Sequence, residues 1–155
     1  MWIKESRFQL KLVNQIFLFC NVYTSLAWFV SSCFVLYLKA PQCEDLSLNF
    51  PLICFCIGFP VESLRLYFGY SGNLRNNVLD IAGFLILTTF IEFPIHIYLL
   101  LSLHHSFHHI SLILQSVQLT LLPIEIFLNF IIMRGSLHER NLQFQMMYNS
   151  DQKLQ

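Results

Sequence analysis

Four apolar runs, each long enough to cross a lipid bilayer, take up most of this chain. A hydrocarbon core about 30 Å thick needs roughly 20 apolar residues of helix to cross it. Inside that core every backbone N–H and C=O must be bonded internally, which leaves helices or a closed barrel. The runs fall at about residues 12–38, 46–67, 78–103 and 110–133, the second interrupted by Pro51 near its start and Pro60 near its end. A buried soluble core could mimic one such run but not four, and 55% apolar against 12% charged residues lies outside the soluble range. The expected fold is an all-α membrane protein, a bundle of four transmembrane helices, with residues 1–11 before it and a polar tail over 134–155.

Lys4, Arg7 and Lys11 ahead of an apolar run resemble the start of a cleaved signal. The run that follows is far longer than a signal core, carries Asn14, Gln15 and Asn21, and lacks a small-residue cleavage site, so it reads as a retained span. Basic residues stay on the cytoplasmic side. With the N-terminus inside, Lys4, Arg7, Lys11, Arg65, Arg75, Arg134, Arg140 and Lys153 are cytoplasmic or at that interface and only Lys39 is across the membrane, so both termini are expected in the cytosol. The far-side loops, KAPQCED and SLHHSFHH, are too short for a folded ectodomain. Cys20, Cys33, Cys54 and Cys56 lie inside spans and Cys43 in a loop, which is no disulfide framework.

The stretch VESLRLYFGYSGNLRNN, residues 61–77, sets a carboxylate and a guanidinium in this apolar context. Glu62 and Arg65 are three apart, so they share a helical face and can pair. With the second span ending near residue 67, Arg65 is expected to send its guanidinium to the headgroup level. Gly69, Gly72 and Asn73 tolerate left-handed backbone angles, so they are expected to stop the helix and turn the chain. That turn is either a simple helix end or a cytosolic corner that binds a partner.

Polar residues inside the spans form stripes. Thr88, Glu92 and His96 recur every four residues on span three. Gln115, Gln118, Glu125 and Asn129 line span four with Leu122 in the same row, and Asn14, Asn21, Ser25 and Ser32 follow suit on span one. These faces should look inward. An ionised carboxylate at mid-bilayer costs at least about 3 kcal/mol, so Glu92 is expected to be protonated, hydrogen-bonded or facing water. Pro94 and Pro123 sit two residues from Glu92 and Glu125, and each frees backbone carbonyls that need partners. Two functions fit the stripes: a proton or cation path lined by Glu92 and Glu125, or a scaffold in which the same groups, with Asn21, Gln118 and Asn129, bond helices to one another or to a partner's spans. The chain has no recurring segment between halves and no filter-like sequence, which favours the scaffold.

The loop HHSFHH contains His105, His108 and His109 in the spacing of one histidine box of membrane di-iron oxygenases, and with His104 it could hold zinc. Those enzymes need several boxes, and the remaining histidines are only His96 and His138. The cluster reads as a solvated loop, with no metal and no cofactor expected. There is no nucleophile elbow, Walker loop or zinc-protease motif, so no enzyme is expected.

ESLRLYFGYSGNL resembles the signature of the transmembrane protein 17, 216 and 80 family, E-x-x-R-L-x-x-G-x-x-G-N-L, through Glu62, Arg65, Leu66, Gly69, Gly72, Asn73 and Leu74. The continuation VLDIAGFLIL and the first-span pattern CNVYTSLAWFVSSC resemble the transmembrane protein 17 branch, and the likeness covers roughly residues 10–135. The resemblance implies a four-span protein of the ciliary transition zone, in the Meckel syndrome/tectonic-like complex that restricts which membrane proteins enter the cilium. Its implied partners are other transition-zone membrane proteins and B9-domain proteins, tectonics and meckelin-like proteins among them, together with the bilayer and no nucleic acid. The seven signature residues would then form a partner-binding cytosolic corner. The chain departs from the family in its short N-terminus and its histidine cluster.

Overall fold

A computed structural model describes residues 2–39, 49–103 and 109–152, and all but a short turn of these are helical. α1 is Trp2–Lys39, α2 Asn49–Arg75, α3 Val78–Leu87, α4 Phe93–Leu103 and α5 His109–Gln152, and a π-helical turn, Thr88–Glu92, joins α3 to α4 as one rod. The four rods are each long and apolar enough to cross a membrane. Four crossings return the chain to the side it started from.

Buried positions on the rods recur at alternating steps of three and four. They are Asn14, Leu18, Asn21, Ser25, Trp28 and Val35 on α1, and Ser111, Gln115, Gln118, Leu122, Glu125, Asn129, Ile132 and Ser136 on α5. This is the seam spacing of helices packed side by side at a shallow angle. A soluble bundle fills such a seam with apolar residues. Here polar ones hold most of it, while Phe, Leu and Ile cover the outside, because lipid solvates the exterior and only the interior offers hydrogen-bond partners.

The third rod needs its π turn to keep this register. Thr88, Glu92 and His96 are four apart, and two such steps drift off an α-helical seam. The wider turn, closed by the Phe93 N–H on the Thr88 carbonyl, absorbs the extra residue and leaves all three buried. Pro94 helps to open the ladder there, since it lacks an N–H and crowds the carbonyl four residues before it.

α2 departs from expectation. It does not stop at Gly69 but continues through Gly72 and Asn73 to Arg75. The chain turns instead at Asn76, which takes a left-handed φ of 54°, and Asn77 caps α3 by accepting the Leu79 N–H. The glycines serve close approach. A Cβ at Gly69 would lie 2.8 Å from Leu18 Cδ2 and 3.0 Å from the Phe84 ring, and one at Gly72 would lie 2.7 Å from Ile81 Cγ1 and 2.9 Å from its backbone nitrogen. Residues 134–152, expected as a polar tail, continue α5 as helix. At the other end of the bundle Trp28, Cys54 and Leu99 form an apolar cluster with Phe29, Phe55, Ile95 and Tyr98.

Candidate functional site

The polar seam resolves into three connected layers. In the middle one, Arg65 is wholly buried and lies near the centre of its rod, not at the headgroup level. Its Nε and Nη2 donate to the two oxygens of Glu62, both at 2.7 Å, and Nη1 donates to Glu125 Oε2 at 2.5 Å. The guanidinium also lies 5.3 Å from the centre of the Phe84 ring. A planar fork with five donors can serve two carboxylates on different helices at once, which an ammonium cannot do with the same geometry.

The surrounding amides and hydroxyls complete the layer. Asn21 Nδ2 donates to Glu125 Oε1 at 2.7 Å, and Ser25 donates to Glu62 Oε1. Gln118 Nε2 faces Asn21 Oδ1 at 3.0 Å, Ser25 Oγ at 2.9 Å and Glu62 Oε1 at 3.2 Å. α1, α2 and α5 are thereby stitched together through charge-assisted bonds, which are shorter and stronger than neutral ones.

Toward the far end lies a relay with a fixed direction. Trp28, a donor only, gives its indole N–H to Gln115 Oε1, which turns the amide nitrogen toward His96. Gln115 Nε2 then donates to His96 Nδ1 at 2.7 Å and to the His96 carbonyl at 2.9 Å. Nδ1 accepts, so the ring proton belongs on Nε2, which faces Glu92 Oε2 at 3.3 Å. That contact falls short of hydrogen-bond geometry, so neither Glu92 oxygen has a hydrogen-bond partner among the described residues.

The near layer gathers at the α2–α3 corner. Asn14 and Asn129 exchange reciprocal amide bonds of 3.1 and 3.2 Å. Asn73 Nδ2 donates to the Lys11 carbonyl at 3.0 Å and Gln15 Oε1 at 2.6 Å. Asn76 Oδ1 accepts from Lys11 Nζ at 2.9 Å and Ser136 Oγ at 2.7 Å, and its carbonyl accepts from Arg140 at 3.2 Å. The corner is clamped from α1 and α5 together.

Of the signature residues, Glu62 and Arg65 belong to the middle layer, Gly69 and Gly72 to the packing of α2 against its neighbours, and Asn73 to the near layer. Leu66 is half-buried and Leu74 is 71% exposed. They do not form one corner. Asn21, Gln118, Glu125 and Asn129 come together as their stripes suggest, whereas Glu92 lies beside His96 of its own rod. Spans one, three and four do meet through polar faces, span three through His96, and span two adds the central cation to them. Sequence reasoning missed Asn76, Lys11, Ser136 and Trp28 as network members. The Asn76–Asn77 pair is a turn signal that was available. Of the loop histidines, His104, His105 and His108 lie outside the described residues and His109 is exposed in the first turn of α5. Among the described residues no group of three His, Cys, Asp or Glu could hold a metal ion.

No solved structure matches the chain. Transmembrane protein 17 of Gallus gallus is 36% identical over 86 residues, covering 56% of this chain and 41% of its own length. Transmembrane protein 17B of Xenopus tropicalis is 29% identical over 133 residues, 84% of this chain and 59% of that one. Transmembrane protein 17 of Homo sapiens is 31% identical over 96 residues, 62% and 48% of the two chains. The chain thus spans about half the length of the curated relatives it matches. A family profile described as predicted membrane protein matches residues 16–122, which holds α2, both halves of the third rod and every member of the middle polar layer except Glu125. On that match, over more than half of its 155 residues, the chain belongs to the transmembrane protein 17 family of membrane proteins.

Proposed function

We propose that this chain is a structural membrane subunit of the ciliary transition-zone complex of the Meckel syndrome/tectonic-like type, supporting ciliogenesis and the barrier that controls ciliary membrane content. Two things support the reading. The family signature carries that role by resemblance, and the interior carboxylate Glu125, which a conduction path would need free, is bound by Arg65 and Asn21. The second observation carries the choice of scaffold over channel: charge at mid-bilayer is spent on joining helices. With the bundle closed on itself, partners such as B9-domain proteins and tectonics would meet the exposed ends, at the corner around Leu74 and Asn76 and along the last turns of α5. Both termini face the cytosol in this reading, and the protein is not an enzyme. The test is location in a ciliated cell. A tagged copy should concentrate at the cilium base, and an even spread over plasma membrane or endoplasmic reticulum would overturn the proposal.

A further inference from the structure

α1 and α5 are laced together by Asn14 with Asn129, Asn21 with Glu125 and Trp28 with Gln115. Toward the far end the seam opens into a trough of about 950 Å³, floored in part by Ala27 and Ser31 of α1 and by Ser111 and Leu114 of α5. Small residues on a helix seam ordinarily let two membrane helices close on each other. Here they stand where the helices part, so the room they leave is open to a third body. Its size is that of a small-molecule site, about 300–1,000 Å³.

The position and chemistry of the trough narrow the occupant. Its lining on α1 runs from Tyr23, near the middle of the span, to Val35 near its end. That is roughly 18 Å of helix at 1.5 Å per residue, close to the depth of one leaflet of a core about 30 Å thick. Among the described residues no Lys, Arg, Asp or Glu lines it. Its polar groups toward the membrane surface are the hydroxyls of Ser31 and Ser111 and the imidazole of His109, the last in the first turn of α5. A fitting ligand has one neutral hydrogen-bonding head and an apolar body one leaflet long. A rigid body also loses less conformational freedom on binding than a flexible acyl chain.

We infer that the trough is a binding site for a sterol, its hydroxyl held by Ser31 or Ser111 and its ring system lying along Ala27 and Leu114 toward Tyr23. The full chain in phosphatidylcholine nanodiscs containing a photoactivatable cholesterol analogue tests this. Label should concentrate in peptides covering residues 23–35 and 109–114, and excess unlabelled cholesterol should compete it away. Ser31→Phe, which occupies the trough, should lower labelling at least about tenfold. Ser31→Ala with Ser111→Ala keeps the space and removes two hydroxyls, so it should lower affinity roughly 2- to 10-fold per lost bond, and it decides the matter if the Phe variant fails to fold. Ile86→Phe, at an exposed site on α3, should change nothing. Label spread evenly over the lipid-facing helices would overturn the proposal. So would an unaltered double alanine variant, or equal labelling of the same peptides by a photoactivatable phosphatidylcholine, which would make the trough a general acyl-chain groove.

Discussion

At the scale of single residues, Arg65 decides the character of the interior. A guanidinium at mid-bilayer is tolerable because two carboxylates on two helices surround it, so removing it strands both. Arg65→Leu should destabilise the bundle by about 3–5 kcal/mol, measured by denaturant unfolding in detergent against the unaltered chain. The charge swap Glu62→Arg with Arg65→Glu keeps the pair on α2 but sets a carboxylate against Glu125. It should therefore be no better than the single variant, and recovery of stability by the swap would show that Glu125 contributes nothing. The pairing of Glu62 with Arg65 was legible from their spacing. Their depth was not, because a glycine followed by asparagine reads equally as a helix stop or as a close-contact surface, and only the neighbouring helix tells the two apart.

At the scale of elements, the stripes of Asn, Gln, Ser and Glu were legible because three-and-four spacing projects them onto one face whatever packs against it. What they would touch was not, since the partners lie on other helices far away in sequence, as Asn21 lies from Glu125. The π turn was hidden for a related reason: the step of four between Thr88, Glu92 and His96 looks helical, and its drift shows only when the neighbouring seam is fixed. The two glycines of α2 make a graded prediction. At Gly69 an added methyl meets the tip of Leu18 and the Phe84 ring, which can shift, while at Gly72 it also meets the Ile81 backbone, which cannot. Gly72→Ala should cost about 1–3 kcal/mol by overpacking and Gly69→Ala less, read as the order of their midpoints in thermal unfolding. The reverse order would mean that the α2–α3 approach is looser than it looks.

At the scale of the whole molecule, the class was legible from length and hydropathy alone, because four apolar rods in so short a chain leave a membrane bundle as the remaining solution. Arg65 is inside the bundle and no longer counts toward the basic side, yet Lys4, Arg7, Lys11, Arg75, Arg134, Arg140 and Lys153 still oppose Lys39 alone. Epitopes at either end should become reachable to antibody only after the plasma membrane is permeabilised, and staining of either end on intact cells would reverse the topology. The tail was the least legible part. Its mixed polar composition reads as an appendage, and its helical state is continuous with the span before it. One consequence is mechanical. α5 is a single shaft of 44 residues, about 66 Å at 1.5 Å per residue, more than twice a hydrocarbon thickness of about 30 Å. Ser136 and Arg140 bind Asn76 where the shaft leaves the bundle, so that collar is a fulcrum. A tilt of about 10° within the bilayer becomes a sweep of roughly 4 Å at Gln152 on an arm of about 24 Å, and whatever grips that tip is coupled by leverage to the packing of the membrane around the other arm.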